Sequence, residues 1–190
     1  IETAFKNAKE NSNNGQILLE EYIEGPQIST ESILTKGKCV TPGFADREYN
    51  DMQVFWPQIM ENGGWVPSSL SMEVQEKINQ LVERSANALG IVEGVAKGDV
   101  VLSPEKGPMM IEMAARLSGG DFCESLVPLS AGVNYVEAAI NIALGNDVDF
   151  EKLKPTQNYW IANRYFFPKP GKLNEVSGIE EVRSMPEVQK

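Results

Sequence analysis

Asp99 and Glu112 are the residues whose placement first points to chemistry. They stand thirteen positions apart, on either side of Ser103-Pro104-Glu105-Lys106-Gly107. Apolar runs flank that turn sequence, so the pattern predicts an antiparallel hairpin with strands over 91–102 and 108–116. A loop from Pro104 to Gly107 pairs Ser103 with Pro108, Asp99 with Glu112 and Lys97 with Ala114. Alternation then puts Lys97, Asp99, Glu112 and Arg116 on one face, and Val100, Leu102, Ile111 and Met113 on the other. Directly opposed side chains have Cβ atoms about 4.5–5.5 Å apart, where like charges repel. Two carboxylates so placed call for a shared proton, a neighbouring cation or a bound metal. A pair of hard oxygen donors suits Mg²⁺, which is usually held by one or two carboxylates together with substrate phosphates. Lys97 and Arg116 could equally neutralise the pair as a surface ion network, and spacing alone leaves both readings open.

Composition narrows the remaining chemistry. The 190 residues contain no histidine, which removes Ser-His-Asp and Cys-His nucleophiles and histidine-based zinc sites. The two cysteines, Cys39 and Cys123, lie far apart without a CxxC spacing, and read as incidental thiols of a reducing, cytoplasmic setting. Seventeen basic against 27 acidic residues give a net charge of −10, which opposes binding to nucleic acid or an anionic membrane. No apolar run approaches the roughly 18–20 residues that span a bilayer. Carboxylates, Lys, Arg and a hard cation are left to do the work.

The elements that must position these groups can be read from periodicity. Residues 1–12 are expected to end a helix, with Ala4, Phe5 and Ala8 on one face. Residues 16–23 form an apolar run broken by two glutamates. Strands over 27–35 and 38–45 join at Thr35-Lys36-Gly37-Lys38 as a hairpin. Residues 46–69 are expected to be a long irregular segment in which Phe55, Trp56 and Trp65 pack or line a pocket. Ser71 caps a helix over 71–89, with Val74, Ile78, Leu81 and Leu89 on its apolar face and Gly90 ending it. A further helix covers 134–144 before Gly145, and 159–167 is strand-like.

Leu18-Leu19-Glu20-Glu21-Tyr22-Ile23-Glu24-Gly25-Pro26-Gln27 resembles the hinge strand of ATP-grasp enzymes. Lys97-Gly98-Asp99, followed by Ile111-Glu112-Met113-Ala114-Ala115-Arg116-Leu117-Ser118-Gly119-Gly120, resembles that family's metal hairpin and substrate loop. The variant Glu-x-Ala-Ala-Arg-Leu-x-Gly-Gly is similar to a subgroup that includes L-amino-acid ligases and carnosine synthases. Ala114 stands where most members have Asn, which puts the usual pair of magnesium ions in question.

The resemblance implies an α+β fold, the antiparallel sheet of an ATP-grasp C-terminal subdomain flanked by helices. Residues 1–19 would end the lid subdomain, 20–150 form the Mg·ATP-binding subdomain, and 151–190 a C-terminal extension. The family's N-terminal half, its glycine-rich lid and its phosphate-clamping lysines are expected to lie outside this chain. The implied activity is that of an ATP-dependent carboxylate–amine (or thiol) ligase working through an acyl phosphate. Its implied substrates are a small carboxylate and an amine, and a homodimer is compatible with it. Glu20, Glu21, Tyr22 and Ile23 would bind adenine and Gln27 the ribose. Asp99 and Glu112 would hold Mg²⁺ or Mn²⁺. Lys97 and Arg116 would be catalytic, and Arg116, Ser118, Gly119 and Gly120 would receive the substrate. Two other readings stay open: a nucleotide-binding module without turnover, and an enzyme of the carbamoyl-phosphate synthase or biotin carboxylase type.

Overall fold

The computed structural model describes residues 1–189. It is an α+β arrangement around one six-stranded antiparallel sheet, in the order β5-β4-β1-β2-β3-β6. The strands are β1 (Gln27–Thr35), β2 (Lys38–Glu48), β3 (Gly63–Val66), β4 (Gly94–Ser103), β5 (Gly107–Ala114) and β6 (Ile161–Arg164). Short helices surround it: α1 (Glu2–Glu10), α2 (Met52–Phe55), α4 (Val127–Ala131), α5 (Tyr135–Ala143) and α6 (Ile179–Arg183). The longest helix is α3 (Met72–Ala88). No helix among the described residues is long and apolar enough to cross a membrane.

Helix α3 starts where the Ser71 side chain accepts the Val74 N–H, satisfying one of the amides that a helix start leaves without a partner. Ile78, Val82 and Ala86 recur at four-residue intervals, so they form one buried stripe. That stripe packs against Ile28, Leu34, Ala96 and Val100 on one face of the sheet. Each fully buried aliphatic side chain contributes roughly 1.5–3 kcal/mol. Leu89, expected on this face, is instead exposed at the C-cap, the point where the helix ends.

A second core covers only part of the opposite face. Phe122, Leu126 and Val127, from a π-helical turn (Phe122–Leu126) and α4, join Tyr135, Ala138 and Ile142 of α5 over Ile33 and Ala45. The uncovered remainder of that face carries the polar side chains.

Several expectations are revised. Residues 46–69 are less irregular than expected: β2 runs on to Glu48, and β3 follows α2. Phe55 packs edge-on against Phe167, Trp56 is exposed, and Trp65 belongs to β3. In α1 no residue is buried. Residues 16–23 form no strand, and Leu18 and Leu19 stay exposed, since a strand needs a neighbour to take its backbone hydrogen bonds. Gly25, at φ +147°, presses this segment against Leu102, where any Cβ would meet the Leu102 carbonyl.

Candidate functional site

In the β4–β5 hairpin Asp99 faces Glu112 and Lys97 faces Ala114. Towards the turn the pairing shifts by one residue, so Val100 meets Met110 and Ser103 meets Gly107 rather than Pro108. A bulge of this kind leaves one residue of the longer strand unpaired. Here it is Ile111, 43 % exposed, while Met110 takes the place on the apolar face expected for Ile111. The two carboxylates differ in setting: Asp99 is buried and Glu112 exposed.

Asp99 is held from three strands. On β1 the Ser29 hydroxyl donates to its Oδ1 at 2.9 Å, and on β2 Arg47 Nη1 approaches the same oxygen at 3.1 Å. Lys97, two residues along β4, forms an ion pair with Oδ2. Arg47 in turn donates through Nε to Glu61 at 2.9 Å. Burial alone would weaken the Arg47 charge, but the Glu61 hydrogen bond and the Asp99 charge outweigh it and raise its pKa. The compensation predicted for the carboxylate pair thus falls on Asp99, from Lys97 and Arg47. Arg116 takes no part in it: β5 ends at Ala114, and the Arg116 Nη1 donates to the Leu117 carbonyl at 3.0 Å.

Beside these groups lies a cavity of about 210 Å³. Lys97, Arg116, Ser118, Gly119 and Gly120 all line it, together with Arg47 and Glu61. Gly120 adopts φ +65°, and a Cβ there would strike the Tyr165 hydroxyl, so glycine is what lets Tyr165 close the cavity over the turn. Asn163 of β6 also lines the cavity and donates to the Gly120 carbonyl at 3.3 Å.

Behind the turn sits Glu31, 0 % exposed. Its Oε1 accepts the Ser118 N–H at 3.1 Å, and its strand position faces Lys97. Burial pushes its carboxyl up to about 7. The Ser118 hydroxyl and N–H, then Tyr135 and Lys97, pull the other way. Neither Oε2 nor the Ser118 hydroxyl has a hydrogen bond of good geometry among the described residues.

The expected hinge residues are not part of this cavity. Glu20, Glu21 and Tyr22 are exposed and Ile23 is half-buried. Instead of lying free, the Glu21 side chain accepts from Lys106 Nζ at 2.8 Å, tying the segment to the hairpin turn. Gln27 shares its face of β1 with Ser29 and Glu31, but its Oε1 accepts the Tyr49 hydroxyl at 2.8 Å. Ser29, Glu31, Arg47, Glu61, Asn163 and Tyr165 were not singled out from sequence. Only Glu31 carries a signal in the sequence, as the single charged residue in the strand Gln27–Thr35.

A family model described as ATP-grasp domain matches residues 1–125. The D-alanine–D-alanine ligase of Cupriavidus pinatubonensis is 26 % identical over 167 residues, 82 % of this chain and 47 % of that protein. The alanine–anticapsin ligase of Bacillus subtilis is 24 % identical over 77 % of this chain and 30 % of that protein. The chain therefore spans less than half the length of these curated relatives. Among solved structures, an L-amino acid ligase from Bacillus licheniformis superposes with a TM-score of 0.76 at 24 % identity. That match covers 89 % of this chain and 41 % of the other. The biotin carboxylase domain of Hydrogenobacter thermophilus 2-oxoglutarate carboxylase, in complex with MgADP and bicarbonate, gives 0.64 at 22 % identity over 84 % of this chain and 34 % of that one. These structural likenesses concern the fold. With the family model covering well over half of its residues, this chain belongs to the ATP-grasp domain family.

Proposed function

We propose that this chain forms the Mg·ATP-binding part of an ATP-dependent ligase that joins a carboxylate to an amine (or thiol) through an acyl phosphate. The observation that carries the reading is the opposed pair Asp99 and Glu112, set beside a cavity lined by Lys97, Arg47 and Arg116. Membership of the ATP-grasp family and the ligases among its relatives support it.

The residues fit a hard cation that brings its own phosphate ligands. No group of three or more acidic, His or Cys side chains among the described residues could hold a metal by itself. The Glu112 side chain, however, is exposed and makes no ion pair or hydrogen bond among the described residues. A carboxylate offers about four lone-pair sites, and those of Asp99 serve Ser29, Arg47 and Lys97, leaving one. Asp99 and Glu112 would hold Mg²⁺ or Mn²⁺, which when bound screens phosphate charge.

The remaining roles follow from charge and position. Phosphoryl transfer asks a protein mainly for positioning and charge neutralisation. Lys97 and Arg116 neutralise charge on the γ-phosphoryl group as it passes to the carboxylate and ADP leaves. The backbone N–H groups of Ser118, Gly119 and Gly120 receive the carboxylate oxygens. An amine nitrogen then bonds to the acyl carbon, phosphate departs and the nitrogen loses a proton. The adenine side belongs to Glu20, Glu21, Tyr22 and Ile23, with Gln27 released from Tyr49 to meet the ribose. In this scheme 1–19 end the lid, 20–150 hold the nucleotide and 151–190 close the cavity through Asn163 and Tyr165.

A second reading, nucleotide binding without turnover, draws on the cations that already occupy Asp99 and on Ala114 in place of Asn. Phosphate release by the protein that carries this chain separates the two. Release requiring both a carboxylate and an amine, and abolished by Glu112→Ala, supports the ligase. Nucleotide binding with no release across a panel of both substrates would sink it.

A further inference from the structure

Glu31 has no part in the steps just described, yet it is fully buried on the site's own face of the sheet. An apolar residue of similar volume would be the more stable occupant, because a buried carboxylate gives up its hydration. What it does instead is bind the cavity's turn: Oε1 accepts the Ser118 N–H at 3.1 Å. Two buried atoms of the same residue pair, Glu31 Oε2 and Ser118 Oγ, are each without a partner among the described residues. Joining them, with the hydroxyl donating and the carboxylate accepting, satisfies both at once. The Glu31 side chain lies behind Ser118, while Gly119 and Gly120 line the cavity in front.

We infer that Glu31 is a positioning residue, whose carboxylate grips Ser118 through its N–H and hydroxyl and so aims the Ser118–Gly119–Gly120 turn at the cavity. This rests on reading that turn as the loop that receives the substrate carboxylate. Hydrogen bonds to a charged acceptor are roughly twice as strong as neutral ones. Protonation of Glu31 turns one of its oxygens into a donor and makes the other a neutral acceptor, so the grip loosens. Three titratable groups face Glu31: Lys97 from β4, Tyr135 from α5 and Cys123 from the π-helical turn. Burial pushes the Cys123 thiol up to about 11 and the Tyr135 phenol well above its usual range, so both are neutral near pH 7. Burial brings Glu31 itself to about 7, where the grip can change.

The test follows the Ser118, Gly119 and Gly120 amide resonances in ¹⁵N-labelled protein between about pH 5.5 and pH 8.5. In the wild type the three should move together with one midpoint near 7. Glu31→Gln, whose amide accepts the N–H and donates to the hydroxyl at any pH, should leave them flat. Ser118→Ala, which removes a donor to the carboxylate, should raise the midpoint. In the ligase assay, wild-type KM for the carboxylate should rise by roughly fivefold to tenfold from pH 8 to pH 5.5, with kcat changed less. The KM of Glu31→Gln should stay level. Turn amides flat in the folded wild type, or titrating alike in Glu31→Gln, overturn the inference, as does an unmoved midpoint in Ser118→Ala. Amides that titrate through Glu31 in a protein without ligase turnover uphold the positioning role and discard the ligase reading.

Discussion

Replacing Glu31 by Gln should stabilise the protein, and by an amount that grows with pH. The side chain is fully buried, and burial raises its carboxyl from an ordinary 4.5 to about 7. Between those values the folded state binds a proton that the unfolded state has released. Stability therefore falls as pH rises through this window, opposite to the usual behaviour of a salt-bridged carboxylate. Each pH unit is worth about 1.4 kcal/mol. The full window is then worth about 3 kcal/mol, and the part above pH 5.5 about 2 kcal/mol. Gln has nearly the same shape and no proton to lose, so it should track the neutral acid throughout. Urea unfolding of both proteins at pH 5.5 and pH 8, well clear of the sequence pI near 4.6, isolates the effect, because every other titration is common to the pair. The gain of Glu31→Gln should be larger at pH 8 by about 2 kcal/mol, or roughly 4–8 °C in Tm for a chain of this size. A difference that does not change with pH would show that Glu31 is charged in the folded state throughout. A loss of the same size at both pH values would show that Lys97 holds it as a net ion pair, since a carboxyl lowered below 4.5 is fully charged in both states at pH 5.5 and above.

Other outcomes follow from the site and the core. Arg116→Lys should lower kcat by on the order of 10²-fold with little change in ATP affinity, since one ammonium cannot reproduce a planar fork at the cavity wall; a parallel fall in ATP affinity would place Arg116 in the nucleotide site instead. Glu112→Ala should weaken Mn²⁺ binding in the presence of ADP by roughly tenfold or more, read by electron paramagnetic resonance, and an unchanged affinity would remove Glu112 from the metal site. Ile78→Ala, in the fully buried stripe of α3, should destabilise the fold by roughly 2–5 kcal/mol in a urea melt. Ser71→Ala should cost about 1 kcal/mol through loss of the α3 cap, and no loss would mean that water replaces the hydroxyl.

The parts legible in the sequence are those governed by one local rule. Ser71 and Gly90 bracket a helix because both ends need particular backbone partners, and α3 runs from Met72 to Ala88. Asp99 faces Glu112 because the hairpin keeps a single register from Asp99 back to Lys97. The turn side of the same hairpin was misjudged, since nothing local marks the bulge that frees Ile111. The chain could be read as a member of the ATP-grasp family from ordered motifs, each of them short. The C-terminal contributions of Asn163 and Tyr165 were out of reach, because they come to Gly120 through β6 pairing with β3 across nearly a hundred residues.

Arg47 shows why the charge balance of the site escaped prediction while its carboxylates did not. Counting from the turn, Thr35 pairs with Lys38. Carried on without a break, that register sets Ser29 against Phe44 and Gln27 against Asp46, which would turn Asp46 towards the site and Arg47 away. The irregularity between Glu31 and Ile33 moves the pairing by one, so Ser29 meets Ala45. Because side chains alternate, a slip of one residue exchanges the two faces of everything beyond it. Arg47 thereby arrives 3.1 Å from Asp99, while Asp46 turns to the α3 face and accepts the Ser69 N–H at 2.9 Å ahead of the helix. One bulge thus decides which charge joins the site and which one anchors the entry to α3. A variant that restores the unbroken register would lose both together, even with every candidate site residue still present.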